Sequence, residues 1–274
     1  PLPVCEADYI NLPGLAFSLG QLWDSGNGRY ILNKIYVVGI GPGGCDQMTG
    51  IAMEALKKSD AIIGYTVYVD LVKDTFPDKE FLTTPMKKEV DRCVLAFEEA
   101  MKGKVVSMIC SGDAGVYGMA GLMYEVGVNY PEVELEIVPG VTAALGGAAV
   151  LGAPLIHDFC LISLSDLLTP WEKIEARLLG ASQADFVICL YNPSSKKRHD
   201  YLQKACDLMM QYKSPDTVCG TVCNIGREGE EYHLMTLKEL RDTQVDMFTT
   251  VFIGNSQTKE INGKMVTPRG YRNV

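Results

Sequence analysis

The chain has 274 residues, of which 47% are hydrophobic and 22% charged, the profile of a folded globular protein and not of a disordered or fibrous one. That length suffices for one large domain or two of ordinary size, each with a full core. A net charge of -9 disfavours nonspecific binding to nucleic acid or to an anionic membrane surface. No apolar run reaches the ~18 residues of a membrane-spanning helix, since the richest stretch, 140–156, is dominated by Gly and Ala.

Residues 1–34 carry Glu6, Asp8 and Asp24 and open without a basic region, which argues against a secretory signal and reads as a leader or linker. From residue 35 onward strand-like and helix-like segments alternate, pointing to an α/β fold. The first half is expected to run as strand 35–40, a helix over about 47–58, strand 61–64, a further helix with a short strand near Phe81, helix 88–101, strand 105–110, helix 116–130 and strand 134–138. In the helix at 88–101, Val90, Val94 and Phe97 form a stripe at helical spacing, with Glu89, Asp91, Glu98 and Glu99 in the other positions. After Pro139-Gly140 the run 141–149 is made almost entirely of small residues, which lets a helix approach a neighbour or a ligand closely. Pro154 is the next break, so the boundary between a first domain, 35–153, and a second, 154–274, falls there.

The second half reads as strand 159–164, helix 171–179, strand 186–190, helix 196–212, strand 218–222, a turn at 226–229, strand 232–235, a short helix at 237–241 and strand 250–253. Short strands joined by turns imply a mixed sheet. Two α/β lobes with a cleft between them result, and such clefts are common small-molecule sites. The nine cysteines are odd in number and scattered, which suits reduced thiols in a cytoplasm better than a disulfide framework. Only Cys219 and Cys223 are close together, and C-x-x-x-C without a second pair is a poor zinc signal, so no metal is expected.

The strand at 35–40 leads into Gly39-Ile40-Gly41-Pro42-Gly43-Gly44, a G-x-G-x-x-G spelling associated with dinucleotide binding. Two features oppose a nicotinamide cofactor. Asp60 precedes the second strand, whereas the ribose-binding carboxylate belongs at that strand's far end. Pro42 removes a backbone donor from a loop whose amides would have to cradle a pyrophosphate. Two further strand ends, Ser111 to Tyr117 and Pro139 to Thr142, carry small, backbone-exposing residues. Three such ends around one crevice suit a compact ligand such as a nucleoside with an amino-acid tail.

The stretches VGIGPGG (38–44), SGDAGVYGMAG (111–121), VPGVTAALGGAAVLGAPL (138–155), ISLSDLLTPWE (162–172), LYNPSSKKR (190–198), NIGREGE (224–230), MFTTVFIGNSQT (247–258) and VTPRGY (266–271) together resemble the tetrapyrrole methylases. Within them the likeness is greatest to the precorrin-3B C(17)-methyltransferase and cobalt-factor III methyltransferase group of cobalamin biosynthesis. It implies a two-lobed fold: a mostly parallel first sheet with flanking helices, a mixed-sheet second lobe, and the active site in the cleft between. It also implies S-adenosylmethionine as methyl donor, a tetrapyrrole substrate and a homodimer. Carried over residue by residue, the cofactor positions are Gly41, Pro42 and Gly43 in the first loop; Gly112, Asp113, Val116 and Tyr117 in the second; and Thr142 and Ala143 in the third. Tyr191, Asn192, Gly220, Thr249 and Thr250 complete them from the second lobe. Ala114 and Gly115 stand where the uroporphyrinogen enzymes have proline and an aromatic, a departure from that branch.

Methyl transfer from a sulfonium needs orientation and water exclusion more than a strong base, which agrees with the absence of a nucleophile-and-base triad among the sequence motifs. The reaction that the resemblance implies, methylation of ring carbon 17 with macrocycle contraction, also moves protons. Asp166 and His157 are the acid-base candidates; a packing histidine and a helix N-cap are the alternatives for them. Ser165, Arg227, Arg269 and the basic cluster Lys196-Lys197-Arg198 are the candidate contacts for substrate carboxylates. Rival readings are a same-fold methylase acting on another tetrapyrrole, a non-catalytic tetrapyrrole carrier and an NAD-dependent oxidoreductase. Neutralising Lys196, Lys197 and Arg198 together is expected to raise the tetrapyrrole KM while leaving cofactor affinity nearly unchanged; equal losses in steady-state KM and in cofactor titration would contradict that assignment.

Overall fold

The computed structural model describes residues 23–24, 29–30, 33–85, 87–195 and 199–271. Two short strands, β1 (Trp23–Asp24) and β2 (Arg29–Tyr30), pair antiparallel ahead of the first lobe. That lobe follows as β3 (Asn33–Gly39), α1 (Gly50–Lys58), β4 (Ala61–Tyr65), α2 (Thr66–Asp70), β5 (Glu80–Thr84), α3 (Glu89–Met101), β6 (Val105–Cys110), α4 (Ala120–Gly127) and β7 (Val133–Val138). Its five strands lie in the order β5-β4-β6-β3-β7, and every neighbouring pair is parallel. Parallel strands with helices on both faces explain the near-continuous apolar runs in β3, β4 and β6. Ile35 and Val37 pack with α3 and α4, while Val38 and Ile40 pack with α1 and α2, the period-2 alternation of a strand buried on both sides.

The chain leaves β3 in one direction along the sheet and β6 in the other. The carboxyl ends of these two neighbouring strands are therefore the switch point, where the diverging loops leave a crevice.

Three local expectations are corrected. The first helix starts at Gly50 and not near 47, because the Thr49 hydroxyl accepts from the Ala52 amide as an N-cap, with a short 3-10 turn at Cys45–Gln47 before it. The helix expected over 116–130 starts only at Ala120, because Tyr117 sits at φ +54, a left-handed conformation that no helix accommodates. In α3 the buried face is Cys93, Ala96, Phe97 and Ala100, whereas Val90 is 54% exposed and Val94 half-buried. The stripe is rotated because small Cys and Ala side chains let the helix approach the sheet, with Phe97 as the one bulky anchor. Glu99, expected on the polar face, is buried and paired with Lys104 at 2.7 Å.

The second lobe comprises α5 (Ala143–Leu151), β8 (Gly152–Ala153), β9 (Phe159–Ser163), α6 (Trp171–Gln183), β10 (Val187–Tyr191), α7 (Tyr201–Met209), β11 (Val218–Cys223), β12 (Glu231–Thr236), α8 (Leu237–Arg241), β13 (Thr249–Ile253), β14 (Lys259–Ile261) and β15 (Lys264–Val266). Its main sheet has the order β12-β11-β13-β10-β9, and only β9 and β10 run parallel. One face is covered by α6, α7 and α8, the other by α5. The hairpin β14-β15 was not anticipated, although Asn262 and Gly263 at its tip both have positive φ, the two-residue turn that Asn-Gly favours. Its second strand pairs parallel with β8, which fastens the end of the chain to the junction between the lobes.

Lys213 is 5% exposed, and its ammonium donates to the Phe186 and Gly254 carbonyls, each at 2.9 Å, with Asp185 Oδ1 3.6 Å away. Burial pulls its pKa below the usual lysine value, against the opposing charge of Asp185. It ties the start of β10 to the turn after β13. Lys213→Met leaves both carbonyls without a donor and is expected to cost about 1–3 kcal/mol in urea unfolding; an unchanged midpoint would contradict this role.

Candidate functional site

Three loops meet at the carboxyl ends of β3, β6 and β7, and they meet backbone to backbone. Gly41 and Gly112 exchange two hydrogen bonds, of 3.0 and 2.7 Å, and the Ile40 amide donates to the Cys110 carbonyl at 2.9 Å. A Cβ on Gly39 would lie 2.7 Å from both the Gly112 oxygen and the Gly140 nitrogen, and one on Gly140 would overlap the Gly112 carbonyl. Only glycine fits at these two positions.

Asp113 fastens the junction. Its Oδ1 accepts from the amides of Gly115 at 2.8 Å and Val116 at 3.1 Å, and its Oδ2 accepts from the amide of Gly140 at 2.9 Å. This carboxylate shapes two of the loops at once, and it turns the chain so that Val116 and Tyr117 face the crevice.

The second lobe closes over the junction through four contacts. The Tyr191 hydroxyl accepts from the Ala144 amide at 2.8 Å and lies 2.6 Å from the Thr142 hydroxyl. It thereby caps the start of α5, where Thr142, the N-cap residue, makes no side-chain cap bond. Tyr117 donates to the Leu161 carbonyl at 2.9 Å, and its ring stands 5.2 Å from that of Tyr191. Arg227 donates from Nε to the Pro42 carbonyl at 2.9 Å and from Nη2 to the Ser111 hydroxyl at 3.0 Å. Gly43 has no side chain and so allows Gly226 to pack against its backbone.

Between the lobes lies an open cleft with about 220 Å³ of accessible space, just under the ~300–1,000 Å³ typical of small-molecule sites. From the first lobe, Pro42, Gly112, Val116, Tyr117 and Thr142 line it, and Ala143 does so at the start of α5. Tyr191, Asn192, Thr249, Thr250 and Arg227 line it from the second. The structure thus brings together most of the positions read from the sequence. It adds Tyr68, Ser111, Asn224, Ile225, Met247 and Phe248. Ser111, Asn224 and Ile225 lay inside motifs already quoted, and Met247 and Phe248 precede the Thr pair; Tyr68, on the short α2, carried no motif signal. Burial raises the pKa of Tyr68, Tyr117 and Tyr191 and lowers that of Arg227.

Other sequence-derived positions lie elsewhere. Gly41, Gly43 and Asp113 frame the loops behind the cleft wall. Gly220 is in the middle of β11 and outside the cleft lining; a Cβ there would stand 2.8 Å from Leu151, so its lack of a side chain admits α5. Asp166 accepts from the Tyr201 hydroxyl at 2.6 Å, and His157 Nε2 is 3.0 Å from the Pro268 carbonyl; neither is among the lining residues. The Ser165 amide donates to the Ser163 hydroxyl, which also accepts from Asn192 at 3.0 Å, so the 163–166 segment abuts the cleft edge. Arg269 is exposed. Lys196, Lys197 and Arg198 lie outside the described residues.

The glycine loop does not have the geometry of a dinucleotide site. After Gly44 the chain makes a 3-10 turn, and α1 begins only at Gly50, so the loop does not run directly into the N-terminus of its own helix as a pyrophosphate site requires. The Asp60 carboxylate sits at the amino end of β4 and accepts from the Val105 amide at 2.8 Å. Among the described residues, no helix is long and apolar enough to cross a membrane, and no group of three or more His, Cys, Asp or Glu is arranged to hold a metal ion.

The family description Tetrapyrrole (Corrin/Porphyrin) Methylases matches residues 34–241. The chain is 49% identical over 236 residues to a probable cobalt-factor III C(17)-methyltransferase of Salmonella typhimurium, an alignment covering 86% of this chain and 98% of that one. It is 41% identical over 248 residues to a precorrin-3B C(17)-methyltransferase of Sinorhizobium sp, covering 86% and 96% respectively. Among solved structures, that of the methyltransferase CobJ superposes with a TM-score of 0.77 at 34% identity, over 85% of this chain and 99% of that one.

Because Asp113 receives three backbone amides, Asp113→Ala is expected to destabilise the protein by about 2–3 kcal/mol. Asp113→Asn should recover part of that loss but not the Gly140 tie if its amide nitrogen faces the Gly140 amide. Urea unfolding of both variants checks this, and wild-type stability in the alanine variant would contradict it.

Proposed function

The chain belongs to the tetrapyrrole methylases, and we propose that it transfers a methyl group from S-adenosylmethionine to ring carbon 17 of a corrin precursor, precorrin-3B or cobalt-factor III, with contraction of the macrocycle. The observation that carries this reading is the cleft itself: both lobes wall it, and the first lobe sets Ser111, Gly112 and Thr142 beside Pro42, Val116 and the rings of Tyr68 and Tyr117. Assembly as a homodimer and a cytoplasmic location belong to the same proposal.

The cleft fits the methyl donor. Gly112 and Ala143 leave the backbone accessible, the rings of Tyr117 and Tyr191 offer flat apolar faces, and the threonines at 249 and 250 supply hydroxyls. When bound, S-adenosylmethionine supplies an electrophilic methyl carbon whose sulfur is already a good leaving group. The protein's work is therefore to orient and to keep water out. Gly146 leaves room for the Pro42 and Ile225 side chains, which a Cβ there would meet at 2.9 and 3.1 Å, while Met247 and Phe248 form an apolar part of the wall. The bridges from Arg227 and Tyr191 hold the lobes at a fixed spacing, so the electrophile and the ring carbon can be held in line. Ser165, Lys196, Lys197, Arg198 and Arg269 remain proposed contacts for substrate carboxylates. Asp166 and His157 have protein partners outside the lining, so the proton movements of contraction are assigned first to groups that line the cleft.

Incubation with methyl-labelled S-adenosylmethionine and, separately, precorrin-3B and cobalt-factor III tests the reading by mass analysis of the product. One labelled methyl on ring carbon 17 of a contracted macrocycle is expected. Labelling of a different tetrapyrrole only, or of none, would contradict the proposed substrate.

A further inference from the structure

Among the described residues, the ionisable side chains lining the cleft are three tyrosines and one arginine. Two of the tyrosine hydroxyls are engaged, that of Tyr117 by the Leu161 carbonyl and that of Tyr191 by Thr142 and Ala144. Tyr68 differs. It stands on α2 of the first lobe with its ring edge-on to Tyr65 at 5.5 Å, and its hydroxyl has no hydrogen-bond partner among the described residues.

Arg227 reaches the same cleft from the second lobe. Its Nε and one Nη2 hydrogen serve Pro42 and Ser111. The rest of the guanidinium fork, including both hydrogens on Nη1, meets no acceptor among the described residues, and no carboxylate there pairs with it. The charge of Arg227 is felt at the Tyr68 phenol, where it opposes the upward effect of burial. The charges of Tyr65, Arg92 and the Cys110 thiol, which burial pushes up to about 11, are also felt there. Arg92 is occupied by Thr84 and the Pro85 carbonyl. Among the described residues that line the cleft with Tyr68, Arg227 is the one charged side chain, and none is a carboxylate. A half-buried guanidinium lining the same cleft as a free phenol is costly to leave unpaired and matches a ligand oxyanion.

We propose that Tyr68 and Arg227 form a two-donor cradle for a carboxylate of the bound ligand, assembled across the cleft from both lobes. The inference rests on the methylase reading, which offers two sources for that carboxylate: the amino-acid tail of the methyl donor, or a side chain of the tetrapyrrole. In either case the ligand would bind the two lobes to each other, since its anion is shared between them.

The test uses Tyr68→Phe, which removes only the hydroxyl, and Arg227→Lys, which keeps the charge and loses the fork; thermal unfolding checks that both remain folded. Titration with S-adenosylhomocysteine and with its decarboxylated analogue is combined with the tetrapyrrole KM. If the cradle holds the donor's carboxylate, Tyr68→Phe weakens S-adenosylhomocysteine about tenfold, the loss of one charge-assisted hydrogen bond, and leaves the decarboxylated analogue unaffected. If it holds the substrate's, the KM rises by a similar factor at unchanged cofactor affinity. Affinities and KM all within about twofold of wild type would overturn the proposal, as would equal weakening of both nucleosides. Turnover by the wild type reads the proposed reaction separately, so an inactive wild type that still discriminates the two nucleosides through Tyr68 removes the reaction and keeps the cradle.

Discussion

The fit of three backbones at the carboxyl ends of β3, β6 and β7 is the constraint on which the rest depends. Gly39, Gly112 and Gly140 approach so closely that no Cβ can stand at the first or the last. Packing of that kind has no adjustable side chain to absorb error. The Asp113 carboxylate therefore becomes the device that holds the loops in register, through amides on two of them. The wall that results presents backbone and small residues to the cleft, which is what a tight pocket for a compact polar ligand needs.

A second dependency follows. The first lobe supplies one wall, and the other is held against it by a few directional contacts: Tyr191 on the Thr142 hydroxyl, Tyr117 on the Leu161 carbonyl, and Arg227 on Pro42 and Ser111. Each of the residues that reach across also lines the cleft. The bonds that join the lobes and the surface that meets a ligand are thus the same side chains, so ligand binding and lobe spacing are coupled through shared contacts. Arg227 shows this most plainly, with part of its fork fixed to the first lobe and part facing the cleft.

The parallel sheet was legible because strands buried on both faces are written as near-continuous apolar runs, as at 35–38 and 105–110. The loops were legible because close backbone approach demands glycine, and Gly39, Gly41 and Gly112 declare it. Other features were hidden for physical reasons. Gly220 reads like a ligand-facing glycine, but a helix side chain, Leu151, uses the same space, and sequence does not distinguish the two. The start of α4 was misplaced because the left-handed turn at Tyr117 depends on Asp113 binding amides of its own loop and of the next strand's. Asp166 and His157 were chosen by residue type and place in a motif, and the structure gives each a protein partner away from the cleft lining. Tyr68 was invisible because it reaches the cleft from a five-residue helix with no pattern of its own. The hairpin at 259–266 was missed although Asn262-Gly263 spelled it.

The central claim is that the crevice at the switch point, framed by glycine backbones and closed by the second lobe, holds a methyl donor and not a dinucleotide. Calorimetric titration of S-adenosylhomocysteine and of NAD into the wild type and into Ala143→Trp, which fills the cleft from its lining, tests it most directly. The account predicts that S-adenosylhomocysteine binds the wild type, that NAD does not, and that the tryptophan variant loses binding while remaining folded. Binding of NAD alone, or undiminished S-adenosylhomocysteine binding by Ala143→Trp, would contradict it.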